Sequence, residues 1–179
     1  MDTLWLSKKQ AESIVRHALA DAPHEACGLI VGIRQRVERV IPIRNTADEP
    51  RCHYVMDPAE LARHLPEIYT AGYDFVGFYH SHPDGDPVFS ETDRMESNWY
   101  DHIYLIAGLK GKAPRLAGWK MQIGRVSQVA LHVGDDAPDK DDDKLSDAQK
   151  AAIITTSLIV FVVMLILSLS LLPPAPPIP

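Results

Sequence analysis

Residues 151–172 (AAIITTSLIVFVVMLILSLSLL) limit what this chain can fold into more than any other stretch, because they include no charged side chain. As a helix they would extend about 33 Å at 1.5 Å per residue, enough to cross a hydrocarbon core of about 30 Å. The alternative is a buried helix of a soluble core, but core helices usually keep a polar face and this stretch has none. The pattern predicts a transmembrane helix over 151–172, followed by a Pro-rich tail over 173–179.

The place of this helix near the C-terminus predicts a single-pass, tail-anchored membrane protein. The first ten residues, MDTLWLSKKQ, contain no apolar run typical of a secretory signal, which favours a cytoplasmic location for the preceding domain. Lys144 and Lys150 lie among aspartates, so the positive-inside rule gives little guidance on orientation. Two cysteines, Cys27 and Cys52, are too few for a disulfide framework and agree with a reducing compartment.

Negative charge is concentrated just before the apolar stretch. The chain has a formal net charge of −6, and residues 135–150 alone carry seven Asp and three Lys, which leaves about −2 for the rest. Such a segment is too charged to pack and predicts a flexible linker over 135–150. Ser146-Asp-Ala-Gln149 resembles a capping box, so the helix should begin near Asp147. No basic face is present, which argues against a nucleic-acid partner.

The remaining residues, 1–134, are enough for one domain with its own core. Hydrophobic periodicity and turn residues predict the order α-β-β-α-β-α-β-β-β, which gives an α/β fold with a mixed sheet flanked by helices. Pro66 should kink or divide the second helix. The predicted helices are 8–22, 57–72 and a short one from Ser90; the predicted strands are 26–33, 36–43, 74–80 and 102–109, followed by a hairpin of 119–126 and 127–133.

The segment HSHPDGDPVFSETD, residues 80–93, follows the strand predicted over 74–80. Residues two apart on a strand point to the same face, so His80 and His82 can approach one metal ion. A catalytic Zn²⁺ takes three protein ligands and leaves one position for water, and Asp93 could supply the third ligand.

Spacing alone leaves other interpretations of this segment open. Ser90 and Asp93 also fit a capping box at the start of a short helix. Three further carboxylates, Asp84, Asp86 and Glu91, compete with Asp93 as ligands, although carboxylates in such a loop commonly shape and solvate the turn.

The complete pattern, His80-Ser-His82-Pro, six residues, Ser90, two residues and Asp93, resembles the motif of the JAMM (MPN+) zinc metalloproteases. A second stretch, Glu25-Ala-Cys-Gly-Leu29, is similar to the motif that the same family has upstream, where its first helix meets the first core strand. The resemblance covers about residues 8–130.

This resemblance implies a fold like that of cytidine deaminase, with one Zn²⁺ held by His80, His82 and Asp93. It implies that Glu25 accepts the proton of the attacking water and later passes it to the leaving amine. Ser90 would help to stabilise the oxyanion. The implied reaction is hydrolysis of a peptide or isopeptide bond without a covalent intermediate.

The compact length of the domain resembles the prokaryotic members of this family. They act on ubiquitin-like proteins, including sulfur carriers that end in Gly-Gly, so the expected partner is a protein of that class. One alternative is a non-catalytic binding scaffold of the same fold for a ubiquitin-like partner at the membrane. A zinc deaminase is a further alternative, but it would require a Pro-Cys-x-x-Cys motif that the chain lacks. Cys27, on an apolar strand, is interpreted as a buried structural thiol.

Overall fold

A computed structural model describes residues 3–135 and 147–170 of the chain. The chain divides into two compact units, Met1–Ala137 and Pro138–Pro179. Most of the linker predicted over 135–150 and all of the tail predicted over 173–179 lie outside the described residues.

Seven strands of the first unit close into a barrel. They are β1 (Thr3–Leu6), β2 (Cys27–Ile33), β3 (Arg36–Ile43), β4 (Asp74–His82), β5 (Ile103–Gly108), β6 (Arg115–Gln122) and β7 (Arg125–Val133). Their order around the barrel is β1-β3-β2-β4-β5-β6-β7. β4 pairs antiparallel with β2 and parallel with β5, so the sheet is mixed, as predicted.

Three helices accompany the strands of this unit: α1 (Lys8–Asp21), α2 (Pro58–Thr70) and α3 (Glu91–Glu96). α1 starts at a capping box formed by Ser7 and Gln10, and its buried side chains face the sheet. α2 starts after Asp57, whose carboxylate accepts hydrogen bonds from the first free N–H groups of the helix. α2 is one continuous helix with Pro66 inside it, so Pro66 does not divide the helix, and the alternative of a kink stays a prediction.

Strand β1 is an element that the hydrophobic pattern did not predict. It has only four residues, and its register pairs Thr3 with Ala130 and Leu6 with Val133 in β7. It also meets β3 through Trp5 and Arg36. Because β1 bridges β7 and β3, this short segment closes the sheet into a barrel.

The hairpin at the end of the unit differs from the prediction of strands over 119–126 and 127–133. Gln122 pairs with Arg125, so the turn consists of Ile123 and Gly124. Gly124 has a φ of +74°, a conformation that glycine adopts at little cost and that two-residue hairpin turns require. The turn therefore lies three residues earlier than the predicted boundary.

Strand β2 is buried on both faces, as its continuous apolar sequence predicts. Ile30 lies in one hydrophobic cluster with Leu4 and Ile14, and Leu29 lies in a second cluster with Phe78. β2 therefore stands between two packed layers, and its N-terminal end holds a fixed position next to the end of β4.

Helix α4 (Asp147–Ser170) belongs to the second unit. It begins at Asp147, as predicted, whereas Ser146, the proposed cap, lies outside the described residues. Ala148–Ser168 is long and apolar enough to cross a membrane, judged by length and composition, and its side chains are exposed. Leu171 and Leu172, the end of the predicted span, lie outside the described residues.

Candidate metal centre

Strand β4 carries two histidines at its C-terminal end. His80 is fully buried, whereas His82 is half-buried. The hydroxyl of Ser81, between them, accepts a hydrogen bond from the Ala26 N–H group at 2.8 Å. The Nε2 atoms of the two imidazoles lie 3.1 Å apart, so alternation along the strand turns both rings toward one point, as predicted.

Helix α3 brings Asp93 to the same point. The N-cap of α3 is Ser90. Its hydroxyl accepts a hydrogen bond from the Asp93 N–H group at 3.0 Å and donates one to Asp93 Oδ2 at 2.7 Å. Oδ1 lies 3.0 Å from His80 Nε2, and Oδ2 lies 3.4 Å from His82 Nε2. The buried Asp93 carboxylate therefore takes part in the capping box and can also bind a metal, so the two interpretations of this residue are compatible.

These separations fit a single tetrahedral Zn²⁺. Ligand bonds of about 2.0–2.1 Å in a tetrahedron place neighbouring donor atoms roughly 3.3 Å apart. The Nε2 atoms of His80 and His82 are 3.1 Å apart, and each faces a different oxygen of Asp93, at 3.0 Å for Oδ1 and 3.4 Å for Oδ2. Two imidazole nitrogens and a carboxylate oxygen are also the ligand types of catalytic zinc sites, so these residues can hold the ion once one Asp93 oxygen turns toward both imidazoles.

The rival carboxylates point elsewhere. Asp86 forms an ion pair with Arg115, and its backbone oxygen lies 3.0 Å from His82 Nδ1. Glu91 is exposed, and its Oε2 atom lies 3.5 Å from Arg94 Nε. Asp84 is exposed and is not part of either group of potential metal ligands among the described residues. The Asp86 carbonyl can instead accept the His82 Nδ1 proton, which leaves Nε2 free to bind a metal.

The ring of His80 is held by packing. It stacks on Tyr54, with ring centroids 4.5 Å apart and an angle of 21° between the planes. Its Nδ1 atom is buried without a hydrogen-bond partner among residues 3–135 and 147–170. In many metal sites a hydrogen bond to Nδ1 fixes the orientation of the histidine ring, and here the stacking of Tyr54 fixes the ring of His80 instead.

The charge states of Asp93 and His80 favour a cation, whereas His82 has to lose a proton first, because its hydrogen bond with Asp93 outweighs burial and raises its pKa. Burial raises the pKa of the Asp93 carboxyl, but hydrogen bonds with His80 and His82 outweigh burial and hold this pKa well below its usual range. Burial lowers the pKa of His80, so this imidazole is neutral near pH 7. An ionised carboxylate beside a neutral imidazole is the state that metal binding needs.

Glu25 lies just before β2, at the same end of the sheet. Cys27 pairs with His80 across the β2–β4 ladder, and the Ser81 N–H group donates to the Ala26 carbonyl at 2.9 Å. One further step of this antiparallel register puts Glu25 opposite His82. Burial raises the pKa of Glu25 to about 7, against a lowering by His82, so the carboxyl can gain or lose a proton near neutral pH.

A cleft of about 760 Å³ opens beside this group. It is lined by Glu25 and Asp93, by the loop of residues 47–49 and 52–56, and by aromatic side chains that include Tyr54 and Trp99. The loop is tied to the backbone of Glu25: the Glu25 N–H group donates to the Pro50 carbonyl, and Asn45 Nδ2 donates to the Glu25 carbonyl at 2.9 Å. The loop thus forms one wall of the cleft and anchors the residue predicted to be the base.

The sequence profile of the prokaryotic homologs of the JAB domain matches residues 7–122. The chain belongs to this family.

Relatives of this JAB domain include desampylases and proteins named as a protease or a peptidase. The chain is 42% identical over 115 residues to a desampylase of Haloferax volcanii, covering 61% of this chain and 83% of that protein. It is 36% identical over 108 residues to a probable TtuB-protein conjugate cleaving protease of Thermus thermophilus, covering 60% of this chain and 72% of that protein. A CysO-cysteine peptidase of Mycobacterium tuberculosis is 28% identical over 124 residues, which cover 68% of this chain and 84% of that protein. The JAB domain described here therefore belongs to a family of hydrolases.

Solved structures agree with this assignment. A protein of Desulfitobacterium hafniense superposes with a TM-score of 0.67 at 30% identity, covering 73% of this chain and 92% of that one. A JAB1/MPN domain protein from Archaeoglobus fulgidus superposes with a TM-score of 0.50 at 15% identity, covering 74% of this chain and all of that one. The second likeness supports the fold alone. The predicted mixed-sheet fold and the predicted family are both confirmed.

The structure thus groups the three predicted ligands of the JAB domain and places Glu25 at the cleft. Ser90, the predicted oxyanion donor, directs its hydroxyl to Asp93. Cys27 is buried, its thiol donates to the Ile43 carbonyl at 3.4 Å, and burial raises its pKa to about 12, as expected for a structural thiol.

Sequence reasoning missed Asn45 and Tyr54, which anchor Glu25 and orient His80. Both lie in a loop without hydrophobic periodicity. Asn45, two residues after the end of β3, is of a type that commonly bonds to a turn backbone, whereas Tyr54 carried no such signal.

Proposed function

We propose that this JAB-domain chain is a zinc-dependent peptidase or isopeptidase that cleaves a bond at the C-terminus of a ubiquitin-like or sulfur-carrier protein. The observation that carries the proposal is the group of His80, His82 and Asp93 at one end of a cleft that Glu25 lines, with the two imidazole Nε2 atoms 3.1 Å apart and an Asp93 oxygen 3.0 Å from one and 3.4 Å from the other. The site geometry matches the chemistry of the named relatives, which are proteases and peptidases.

His80, His82 and Asp93 would hold the ion, and a bound Zn²⁺ supplies Lewis acidity and makes a water molecule more acidic, with a pKa near 7. Glu25 is the residue proposed to move the proton. Its pKa of about 7 lets the carboxylate accept a proton from water and return it to the departing amine at neutral pH. The stacked ring of Tyr54 would keep the ligand set rigid during this exchange.

Ser90 is proposed to donate a hydrogen bond to the developing oxyanion. In the structure its hydroxyl donates to Asp93 Oδ2 at 2.7 Å. The role in catalysis therefore requires the hydroxyl to rotate its proton away from Asp93 and toward the substrate. The N–H group of Ser90 also donates to Asp93 Oδ2, at 2.7 Å, and would hold the carboxylate in place during this rotation.

The proposed substrate class rests on the relatives and on the shape of the site. The relatives' names refer to a TtuB-protein conjugate, to CysO-cysteine and, for the Haloferax volcanii protein, to desampylation. The cleft is open on one side and is partly lined by apolar and aromatic side chains, among them Val55, Phe78 and Trp99. An extended, small-residue tail of a protein can enter such a cleft without unfolding of the protein that bears it.

The test uses the full chain in detergent micelles and a ubiquitin-like protein with one residue added after its Gly-Gly terminus. Glu25→Gln should lower the hydrolysis rate by ~10²- to 10⁴-fold while zinc is retained, because only the proton acceptor is lost. His82→Ala should abolish both zinc binding at this site and hydrolysis. Glu12→Gln, an exposed carboxylate on α1, is the matched control and should change neither.

Two results would contradict the proposal. Cleavage that Glu25→Gln leaves unchanged would remove Glu25 from the mechanism. Wild-type protein that holds less than one zinc ion per chain after dialysis would favour the non-catalytic scaffold.

We further propose that α4 anchors the domain to a membrane, with the JAB domain in the cytoplasm. A helix of 24 residues extends about 36 Å, longer than the hydrocarbon core of about 30 Å. Anchoring would raise the local concentration of substrates held at the bilayer. Removal of residues 145–179 should release the protein to the soluble fraction and leave its hydrolysis rate within about two-fold. Truncated protein that still sediments with membranes would show that α4 is not the anchor.

A further inference from the structure

A second group of metal-ligating side chains lies at the mouth of the cleft, on the loop that forms its wall. The group consists of Glu49, Cys52 and His53, and one ligand atom from each lies within 4.8 Å of the other two. Glu49 and Cys52 are exposed and His53 is half-buried. The proposed peptidase reaction uses none of these three side chains.

The distances within this group are close to those of a metal site. Cys52 Sγ lies 3.2 Å from His53 Nδ1 and 3.9 Å from Glu49 Oε2. A sulfur ligand at about 2.3 Å and a nitrogen or oxygen ligand at about 2.1 Å of one tetrahedral Zn²⁺ are separated by roughly 3.6 Å. The two observed distances lie on either side of this value, so small side-chain rotations would complete the geometry.

The backbone holds the three side chains on one side of the loop. The N–H groups of Cys52 and His53 both donate to the Glu49 carbonyl, at 3.3 Å and 3.2 Å. This turn places residues i, i+3 and i+4 next to one another, as in one turn of a helix. The His53 carbonyl in turn accepts a hydrogen bond from Asn45 Nδ2 at 3.0 Å, which fixes the end of the turn. The backbone positions of the three residues are therefore fixed before any ion binds, and only their side chains have to adjust.

The surrounding charge is negative. Glu96, on α3, places Oε1 3.5 Å from His53 Nε2. Desolvation raises the pKa of the Cys52 thiol, and the carboxylates of Glu49, Glu25 and Glu96 raise it further. A bound cation would relieve the repulsion between these carboxylates and a Cys52 thiolate.

We propose that Glu49, Cys52 and His53 form a second metal site, which takes a thiophilic divalent cation such as Zn²⁺, Co²⁺ or Cd²⁺. A thiolate, an imidazole and a carboxylate form a donor set suited to these ions rather than to Mg²⁺ or Ca²⁺. The site binds more weakly than the buried group, because its donors are exposed to solvent and two of the three side chains lose rotational freedom on binding. It is separate from the group of His80, His82 and Asp93.

The test is a Co²⁺ titration of the full, metal-stripped chain in detergent micelles, followed by absorption spectroscopy and by metal analysis. A cobalt–thiolate bond gives a charge-transfer band that nitrogen and oxygen ligands do not give. Wild-type protein should bind two Co²⁺ ions per chain, and the band should grow with the second one. Cys52→Ser should lose the band and one equivalent, and this exposed residue can be replaced without disturbing the core. Mg²⁺ should produce no competition at equal concentration.

Two control variants make the outcomes separable. Cys27→Ser removes the buried thiol and should keep the charge-transfer band. His82→Ala should lose the Co²⁺ ion of the buried group and should also keep the band. A band that survives Cys52→Ser, or wild-type protein that binds its second equivalent without a band, would overturn the second site. Failure of the proposed peptidase function is a different result, in which the band behaves as expected and no substrate is cleaved.

Discussion

Asn45 provides the sharpest test of how the loop supports the site, because four hydrogen bonds converge on one side-chain amide. Its Nδ2 donates to the Glu25 carbonyl at 2.9 Å and to the His53 carbonyl at 3.0 Å. Its Oδ1 accepts the N–H groups of Ala47 and Val55, each at 3.0 Å. The substitution Asn45→Ala removes all four bonds and leaves the backbone partners to be satisfied by water.

The expected loss of stability follows from this count. An intramolecular hydrogen bond contributes about 0.5–1.5 kcal/mol, and the lower half of that range applies because Asn45 is half-buried. Four such bonds give about 2–4 kcal/mol, which corresponds to a decrease of roughly 6–16 °C in Tm for a domain of this size. Because Glu25 loses an anchor of its carbonyl, kcat/KM should fall by ~10- to 100-fold well below the Tm.

The assay combines thermal unfolding by circular dichroism with the hydrolysis rate of the full chain in detergent micelles. Asn45→Asp keeps both acceptor contacts but turns a charged oxygen toward the Glu25 and His53 carbonyls in place of the amide donor, so its Tm should also lie well below that of the wild type. Asn98→Ala is the control, since its amide makes a single bond, to the Glu96 carbonyl at 3.2 Å. A Tm of Asn45→Ala within about 2 °C of the wild type, or no greater loss than in Asn98→Ala, would refute the reasoning.

Two further predictions concern packing and pH. Gly108→Ala should weaken zinc binding by ~10- to 100-fold in a chelator competition, because a Cβ there would lie 2.5 Å from the Pro87 nitrogen and push the loop that connects the ligands. Gly118→Ala is the control. Its Cβ would lie 3.4 Å from its nearest neighbour, so this variant should bind zinc normally. The hydrogen bond from Arg44 holds the pKa of Asp57 below its usual range, so the ion pair stabilises the fold above the unfolded pKa near 4 and loses this effect as the pH falls further. The Tm difference between wild type and Arg44→Ala should therefore be constant from about pH 7 to 5 and shrink below about pH 4. A Tm difference that grows in acid would contradict this assignment.

The fold was predictable wherever a segment's own pattern decided its structure. Strands β2, β3 and β4 and helix α2 lie within two residues of their predicted bounds, since apolar runs and cap residues fix them locally. β1 was not predictable, because four residues form a strand only when β7, more than a hundred residues away, offers its edge. The misplaced hairpin turn has a related cause: Ile123 continues the apolar alternation of β6, and one glycine was the only turn signal.

The candidate site shows a similar division. The spacing of His80, His82 and Asp93 predicted their convergence, but it did not exclude Asp86 as a metal ligand. The Asp86 carboxylate forms an ion pair with Arg115, which lies on a strand distant in sequence. The stacking of Tyr54 on His80 depends on how the loop after β3 folds over β4, and no local pattern encodes such a contact. Local motifs therefore predicted which residues could bind a metal, and tertiary contacts determine which residues support them.

Asp93 Oδ2 accepts both the N–H group and the hydroxyl of Ser90, and the same carboxylate faces the two imidazoles. A helix of six residues has little stability of its own, so α3 depends on that carboxylate to begin. Assembly of the donor set and ordering of the segment 90–96 are consequently one cooperative event. Amide protons of α3 should therefore exchange with solvent more slowly once an ion is loaded, which makes this short helix a built-in reporter of occupancy.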